Sequence, residues 1–346
     1  MTIATSLKPP SPPSRPPFKN WKRNVAGILV SVACLGFIAS RIDLDEFVKA
    51  IANFQWRWLI LGLISLGAGY TVRIVRWSSL LRAAGAPVPP SKCAAPFLGS
   101  IALNNILPMR LGDVVRAMVF PTALGIDRIT ATGSLVMERL VDLMTLLVCL
   151  VLGLVTTSRA RLPAWLIDTA VGLAIVGSLL LAAVFFFSGW LARWIGRNAH
   201  PLQASRRERM LQALRNLLAS FDAMSRLPVL LALFGLSMLV WAGEAGLFWS
   251  LLWGFGLQAS AGAAIVVMAI ATLSTLVPSS PGYVGPFHLA AFAAVAMLGG
   301  TSAQAASFAV LAHLAVWLPT TVAGTLAILF NPQLFGRAKV MSNQQS

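Results

Sequence analysis

Long apolar runs separated by short polar and basic segments dominate the chain. Five runs, near 58–76, 129–157, 163–188, 229–255 and 303–330, are long enough to cross a bilayer as helices, which takes about 20 residues. A sixth run, 25–40, follows Lys19, Lys22 and Arg23 in the manner of a signal peptide, with Phe37-Ile38-Ala39-Ser40 as a weak cleavage site. The long leader and the many later spans favour an uncleaved first helix. Two further apolar stretches, near 93–121 and 263–299, are interrupted by Pro and Gly. They read as broken or re-entrant helical hairpins. The pattern therefore predicts an all-α polytopic membrane protein with about six full spans and two broken hairpins.

Composition supports this class. Hydrophobic residues make up 57% and charged residues 11% of the 346 residues, against about 25% charged in soluble domains. The net charge of +16 is not read as nucleic-acid binding, because the basic residues sit between apolar runs. With the N-terminus inside, nineteen Lys and Arg fall on cytoplasmic segments and five outside. Arg73, Arg76 and Arg82 are counted among the nineteen as a cytoplasmic helix end, with Arg73 and Arg76 snorkelling to lipid phosphate. The asymmetry predicts an even number of crossings and two cytoplasmic termini. Residues 1–24 form a Pro-rich basic tail expected to be disordered, 25–335 a single transmembrane domain, and 336–346 a short tail. The basic connector within 189–228 has Met210, Leu211, Leu214, Leu217, Leu218 and Phe221 at helical spacing. It reads either as an interfacial helix on anionic lipid heads or as an ordinary connector. No metal set, cofactor motif or nucleophile signature occurs, so no cofactor, metal or catalytic residue is expected.

The broken stretches resemble each other. Leu103, Pro108, Gly112 and Val114 recur as Leu273, Pro278, Gly282 and Val284 at an offset of 170. Topology places the first hairpin's start inside and the second's outside, as in inverted-repeat transporters with broken helices at the midplane. Two unrelated Pro-kinked helices would give the same pattern.

Charges at membrane depth are costly and mark function by default. Arg110, Asp113 and Arg116 follow Pro108, and Asp113 and Arg116 share a helical face. Glu138, Arg139 and Asp142 form a second cluster, with Glu138 and Asp142 on one face and Arg139 able to reach Asp142. One reading is a polar cavity for a charged head group, with Arg suited to phosphate. The other is a self-neutralised network joining helices. Glu244, between small residues in Trp241-Ala-Gly-Glu-Ala-Gly246, is either a proton or substrate site or an interhelical hydrogen-bonding group. His288 and His313 read more readily as packing residues.

Three motifs occur in order: Asn105-Ile-Leu-Pro-Met-Arg-Leu-Gly-Asp-Val-Val-Arg116, Glu138-Arg-Leu-Val-Asp142 and Pro278-Ser-Ser-Pro-Gly-Tyr-Val-Gly-Pro-Phe-His288. Together they resemble the lysylphosphatidylglycerol synthase transmembrane-region family, flippase-like integral membrane proteins, over about residues 20–335. The resemblance implies a lipid-handling domain of the bacterial or archaeal inner membrane. In bifunctional members a cytosolic aminoacyltransferase domain follows, and the membrane part is thought to move aminoacylated phospholipid between leaflets. A chain ending at Ser346 is expected to lack that domain. Tyr283 stands where the family often has a second Gly, and His288 where an acidic residue is frequent. The expected function is therefore lipid translocation. A membrane-embedded lipid-modifying enzyme and a non-catalytic partner of a lipid-biosynthetic complex are the alternatives. Expected substrate contacts are Asn105, Pro108, Arg110, Asp113, Arg116, Glu138, Arg139, Asp142, Glu244, Pro278, Ser280, Gly282, Tyr283 and His288. Expected partners are the lipid substrate, anionic lipid heads at the cytoplasmic face, a lipid-biosynthetic enzyme and a second copy of the chain, with no nucleic acid.

Overall fold

The first apolar run folds as α1 (Trp21–Ala39) and turns by 88° into a short amphipathic helix, α2 (Leu44–Ala52). Asp43 caps α2, its carboxylate accepting the N–H groups of Asp45 at 2.8 Å and Glu46 at 3.3 Å. The computed structural model describes residues 21–157, 226–277 and 279–335, with scattered positions between 168 and 224. Most of the expected span 163–188, most of the basic connector, Pro278, most of the N-terminal tail and the C-terminal tail lie outside the described residues. Among the described residues every element is helical, and four helices are long and apolar enough to cross a membrane. They are α3 (Trp56–Ala83), α7 (Arg128–Thr156), α8 (Leu227–Gly254) and α11 (Ser302–Leu329). The remaining elements belong to the two broken stretches. The first comprises α4 (Pro90–Ile106), a 3-10 turn Pro108–Arg110, α5 (Leu111–Met118) and α6 (Phe120–Leu124). The second comprises α9 (Ala261–Ser274), a 3-10 turn Pro281–Tyr283 and α10 (Pro286–Met297). Both breaks fall where Pro and Gly predict them.

Small residues bring the long helices together. An added Cβ on Gly243 of α8 would stand 2.7 Å from Cα of Gly69 in α3. Ser65 Oγ reaches across the same seam and donates to the Gly243 carbonyl at 2.9 Å. Without a hydrophobic driving force in lipid, such backbone approach and interhelical hydrogen bonding hold helices together. The seam sets the depth at which Arg73, one turn beyond Gly69, and Glu244, next to Gly243, face each other. The main core packs α8, α9, α10 and α11 through Leu247, Phe248, Val267, Met268, Val295 and Phe308, all at most 1% exposed. Exposed Ile60, Ile64, Leu239, Leu318 and Val322 lie on outer faces suited to lipid.

The two breaks share one backbone plan. Leu107 and Ser280 are extended, a 3-10 turn begins at Pro108 or Pro281, and the turn ends on a left-handed residue. Those residues are Arg110 (φ 53°) and Tyr283 (φ 61°). The structural correspondence therefore pairs Pro108 with Pro281 and Arg110 with Tyr283, whereas Gly112 lies inside α5 and Gly285 (φ 103°) precedes its helix. The register is three residues beyond the one suggested by sequence identities. Both glycines are required by close approach. A Cβ on Gly112 would collide with the Ser100 carbonyl and with Asn104, and one on Gly285 would lie 2.6 Å from Cα of Ser31.

Candidate functional site

The two breaks meet. The Arg110 guanidinium stacks over the Tyr283 ring at 5.4 Å, joining the two left-handed residues. Asn105 ties the first break to α11: its side-chain amide donates to Thr321 at 2.9 Å and Thr320 at 3.1 Å. Its carbonyl accepts from the Trp317 indole at 3.3 Å. His313, also on α11, holds the second break through its Nε2 and the Gly282 carbonyl at 2.7 Å. One transmembrane helix thus fixes both irregular segments, whose freed backbone groups are tolerated at depth because protein and a cavity surround them.

Two cavities flank this junction. The larger, about 450 Å³, is lined by Arg73, Arg110, Arg139, Asp142 and Glu244 together with Tyr70, Asn104, Asn105, Trp241, Thr272, Trp317 and Thr320. The second, about 440 Å³, is lined by Pro108, Leu107, Val277, Ser279, Ser280 and Pro281. Asn104, Arg110, Gly282 and Tyr283 line both. The Arg110–Tyr283 stack is therefore part of their shared wall.

Ion pairing among the charged groups differs from the spacing-based expectation. Asp113 and Arg116 do not pair with each other. Arg139 Nη2 donates to both oxygens of Asp113 at 2.9 Å. Asp113 also accepts from Asn104 Nδ2 at 2.9 Å, and its N–H returns to Asn104 Oδ1 at 3.0 Å, closing the α4–α5 hairpin. Asp142 is held by Arg76 through both oxygens, one of them at 3.0 Å, rather than by Arg139. Arg116 lies 3.0 Å from Glu138, and Arg76 3.9 Å. Arg73 pairs with Glu244 at 2.8 Å, and Thr272 donates to the other Glu244 oxygen at 3.2 Å.

These contacts correct the reading of Arg73 and Arg76 as a snorkelling helix end. Arg76 is 1% exposed, and both are paired inside the bundle. The helix carrying them has 28 residues, about 42 Å long. It runs past the apolar window that marked its end in the sequence.

The predicted site residues separate into two groups. Asn105, Arg110, Arg139, Asp142, Glu244, Gly282 and Tyr283 line the larger cavity, and Pro108 and Ser280 line the second. Arg116 and Glu138 are each 2% exposed and line neither. Arg116 is buried between Trp77 and Phe97, 5.0 and 4.9 Å from their ring centres. Asp113 lies behind Arg139. His288 also lies behind the cavity, its Nδ1 accepting the Gly285 N–H at 3.4 Å while its ring packs 4.6 Å from His313. Pro278 lies outside the described residues. Sequence reasoning missed Tyr70, Arg73, Asn104, Thr272, Trp317 and Thr320 as lining groups, and gave little weight to His313. These residues carry no local motif. The available signal was polarity at helical spacing in His313, Trp317 and Thr320 of the last span.

Five guanidiniums (Arg73, Arg76, Arg110, Arg116, Arg139) thus surround four carboxylates (Asp113, Glu138, Asp142, Glu244). Among the described residues Arg110 has no carboxylate partner.

Comparison with known proteins agrees with this architecture. The chain matches the family model described as the lysylphosphatidylglycerol synthase TM region over residues 24–324, and it belongs to that family. It is also similar to the protein named Glycosyltransferase AglD of Haloferax volcanii, with 26% identity over 122 residues. That segment is 35% of this chain and 20% of the relative, so the chain spans only a small part of the curated relative it matches.

Proposed function

We propose that this member of the lysylphosphatidylglycerol synthase transmembrane family is a lipid translocase, a flippase-like carrier of the inner membrane with both termini cytoplasmic. The observation that carries the reading is the unpaired Arg110 guanidinium, held at the meeting point of two broken helices and lining two cavities. An unpaired charge at membrane depth costs several kcal/mol. A lipid phosphate offers the partner, with charge-assisted hydrogen bonds to the guanidinium fork. The two hairpins form the halves of an inverted repeat, entering from opposite sides, and the acyl chains remain in the bilayer while the head group crosses. In this reading Arg139, Asp142 and Glu244 shape the larger cavity, while Asp113, Arg116 and Glu138 brace it from behind. Ser280 and Gly282 belong to the second break, and His288 supports its helix.

The test is translocation of fluorescent lipids in proteoliposomes, read by quenching from outside. Wild type is expected to move a phosphate-bearing lipid, and Arg110→Ala to lose that movement. An Arg110→Ala protein that folds and translocates at the wild-type rate sinks the phosphate role.

The name of the Haloferax volcanii relative favours a second reading. The chain would then serve as the membrane part of a lipid-modifying system, handling a lipid that a transferase glycosylates. Co-purification of such an enzyme, with no translocation by the chain alone, would support it.

A further inference from the structure

Building on the proposed lipid site, we infer that its head group carries one anionic charge, no ammonium group and free hydroxyls: a hydroxylated phosphodiester lipid.

Charge supplies the first argument. The carboxylates facing the larger cavity are Asp142 and Glu244, and each has both oxygens occupied. Asp142 binds Arg76 through both, and Glu244 binds Arg73 through one and Thr272 through the other. Each already has a guanidinium as its charge partner, so an ammonium would have to share it. The remaining unpaired charge is the single guanidinium of Arg110. One phosphodiester cancels it. A zwitterionic head leaves the site one positive charge in excess, and a head with net positive charge leaves it two in excess. Uncompensated charge in a low-dielectric cavity is the costly outcome.

Aromatic faces supply the second argument. The other device that holds ammonium groups is a ring face. Three of the five aromatic rings lining the cavity already carry guanidiniums, leaving Phe287 and Trp317, whose indole N–H is committed to Asn105. Arg73 lies over Tyr70 at 5.4 Å and over Trp241 at 5.0 Å, and Arg110 lies over Tyr283.

Threonine geometry supplies the third. Thr275 donates its hydroxyl hydrogen to the Thr272 carbonyl at 2.7 Å, and Thr272 donates its own to Glu244. With their hydrogens committed, these hydroxyls offer lone pairs. Hydroxyl groups on a ligand donate to them without adding a second positive charge beside Arg110.

The experiment measures binding to the purified full chain in detergent by native mass spectrometry, using lipids with matched acyl chains. The probes are phosphatidylglycerol, phosphatidylethanolamine and lysylphosphatidylglycerol, with chain-free glycerophosphoglycerol as the soluble control. Phosphatidylglycerol is expected to bind about tenfold or more tighter than the two ammonium lipids, the weight of a charge-assisted pair. Arg110→Gln is expected to reduce it to their level. Equal or tighter binding of lysylphosphatidylglycerol overturns the inference, as does binding of none of the three lipids. The wild-type series decides the matter even if the variant fails to fold. Binding of glycerophosphoglycerol as tight as that of the lipid overturns a lipid site and leaves the charge rule standing. Selective phosphatidylglycerol binding without liposome translocation removes the translocase reading alone, and translocation of lysylphosphatidylglycerol removes the charge rule alone.

Discussion

The buried pair of Arg76 and Asp142 tests whether the charged network braces the helices or contacts substrate. Arg76 is 1% exposed and Asp142 7%. Arg76→Met leaves the carboxylate without either of its Arg76 hydrogen bonds. Removing one partner of a buried pair typically costs about 3–5 kcal/mol, because the other charge stays buried. Asp142→Leu is expected at the lower end of that range, since Arg76 keeps Ser237 at 2.6 Å and Glu138 at 3.9 Å. The double variant removes both charges and leaves Glu138 its 3.0 Å contact with Arg116. It should recover much of the loss, with a coupling energy of about 2–3 kcal/mol. The assay is reversible unfolding in lipid–detergent mixtures, followed by tryptophan fluorescence. A double variant no more stable than the worse single one refutes the brace. The same double variant should still bind phosphatidylglycerol, because Arg110 is untouched.

Two packing predictions follow from close backbone approach. Gly112→Ala drives a methyl into the Ser100 carbonyl and Asn104 and should cost about 1–3 kcal/mol, seen as a lower unfolding midpoint together with weaker lipid binding. Unchanged stability would mean that the hairpin closes differently. Gly243→Leu should separate α3 from α8 at the Gly69 crossing and disrupt the Arg73–Glu244 contact, which disulfide cross-linking of cysteines placed along the seam reports as lost efficiency.

The class, the long helices and both breaks were legible in the sequence because each rests on local signals. Length and hydropathy mark a span, and Pro108 marks where α4 cannot continue. The register of the repeat was not legible. Leu103 and Leu273 align by identity, whereas backbone shape aligns Arg110 with Tyr283, two side chains with nothing in common but a left-handed conformation. Nor was the pairing of charges. Helical spacing offers Asp113 to Arg116 and Arg139 to Asp142, yet the partners are set by helices far apart in sequence, such as Arg73 with Glu244, 171 positions away. Arg76 looked like a helix end because apolar residues stop near it, while the bundle supplies Asp142 and Ser237 to keep it inside. Arg110 was a candidate from its depth, its place after Pro108 and the suitability of Arg for phosphate, and its lack of a carboxylate among the described residues emerged only from the structure.

That lone guanidinium has an electrical consequence. Moving one elementary charge through the whole membrane potential involves about 2.3 kcal/mol per 100 mV. If Arg110 travels with the phosphodiester in the proposed translocation, the two form a neutral couple and the field does no net work on the pair. An empty site exposes its cation to the field, and any return motion of Arg110 is then driven or opposed by the potential. On that translocase reading, a cell's resting voltage would act on the return of the empty site and leave the lipid-bearing step almost indifferent to it.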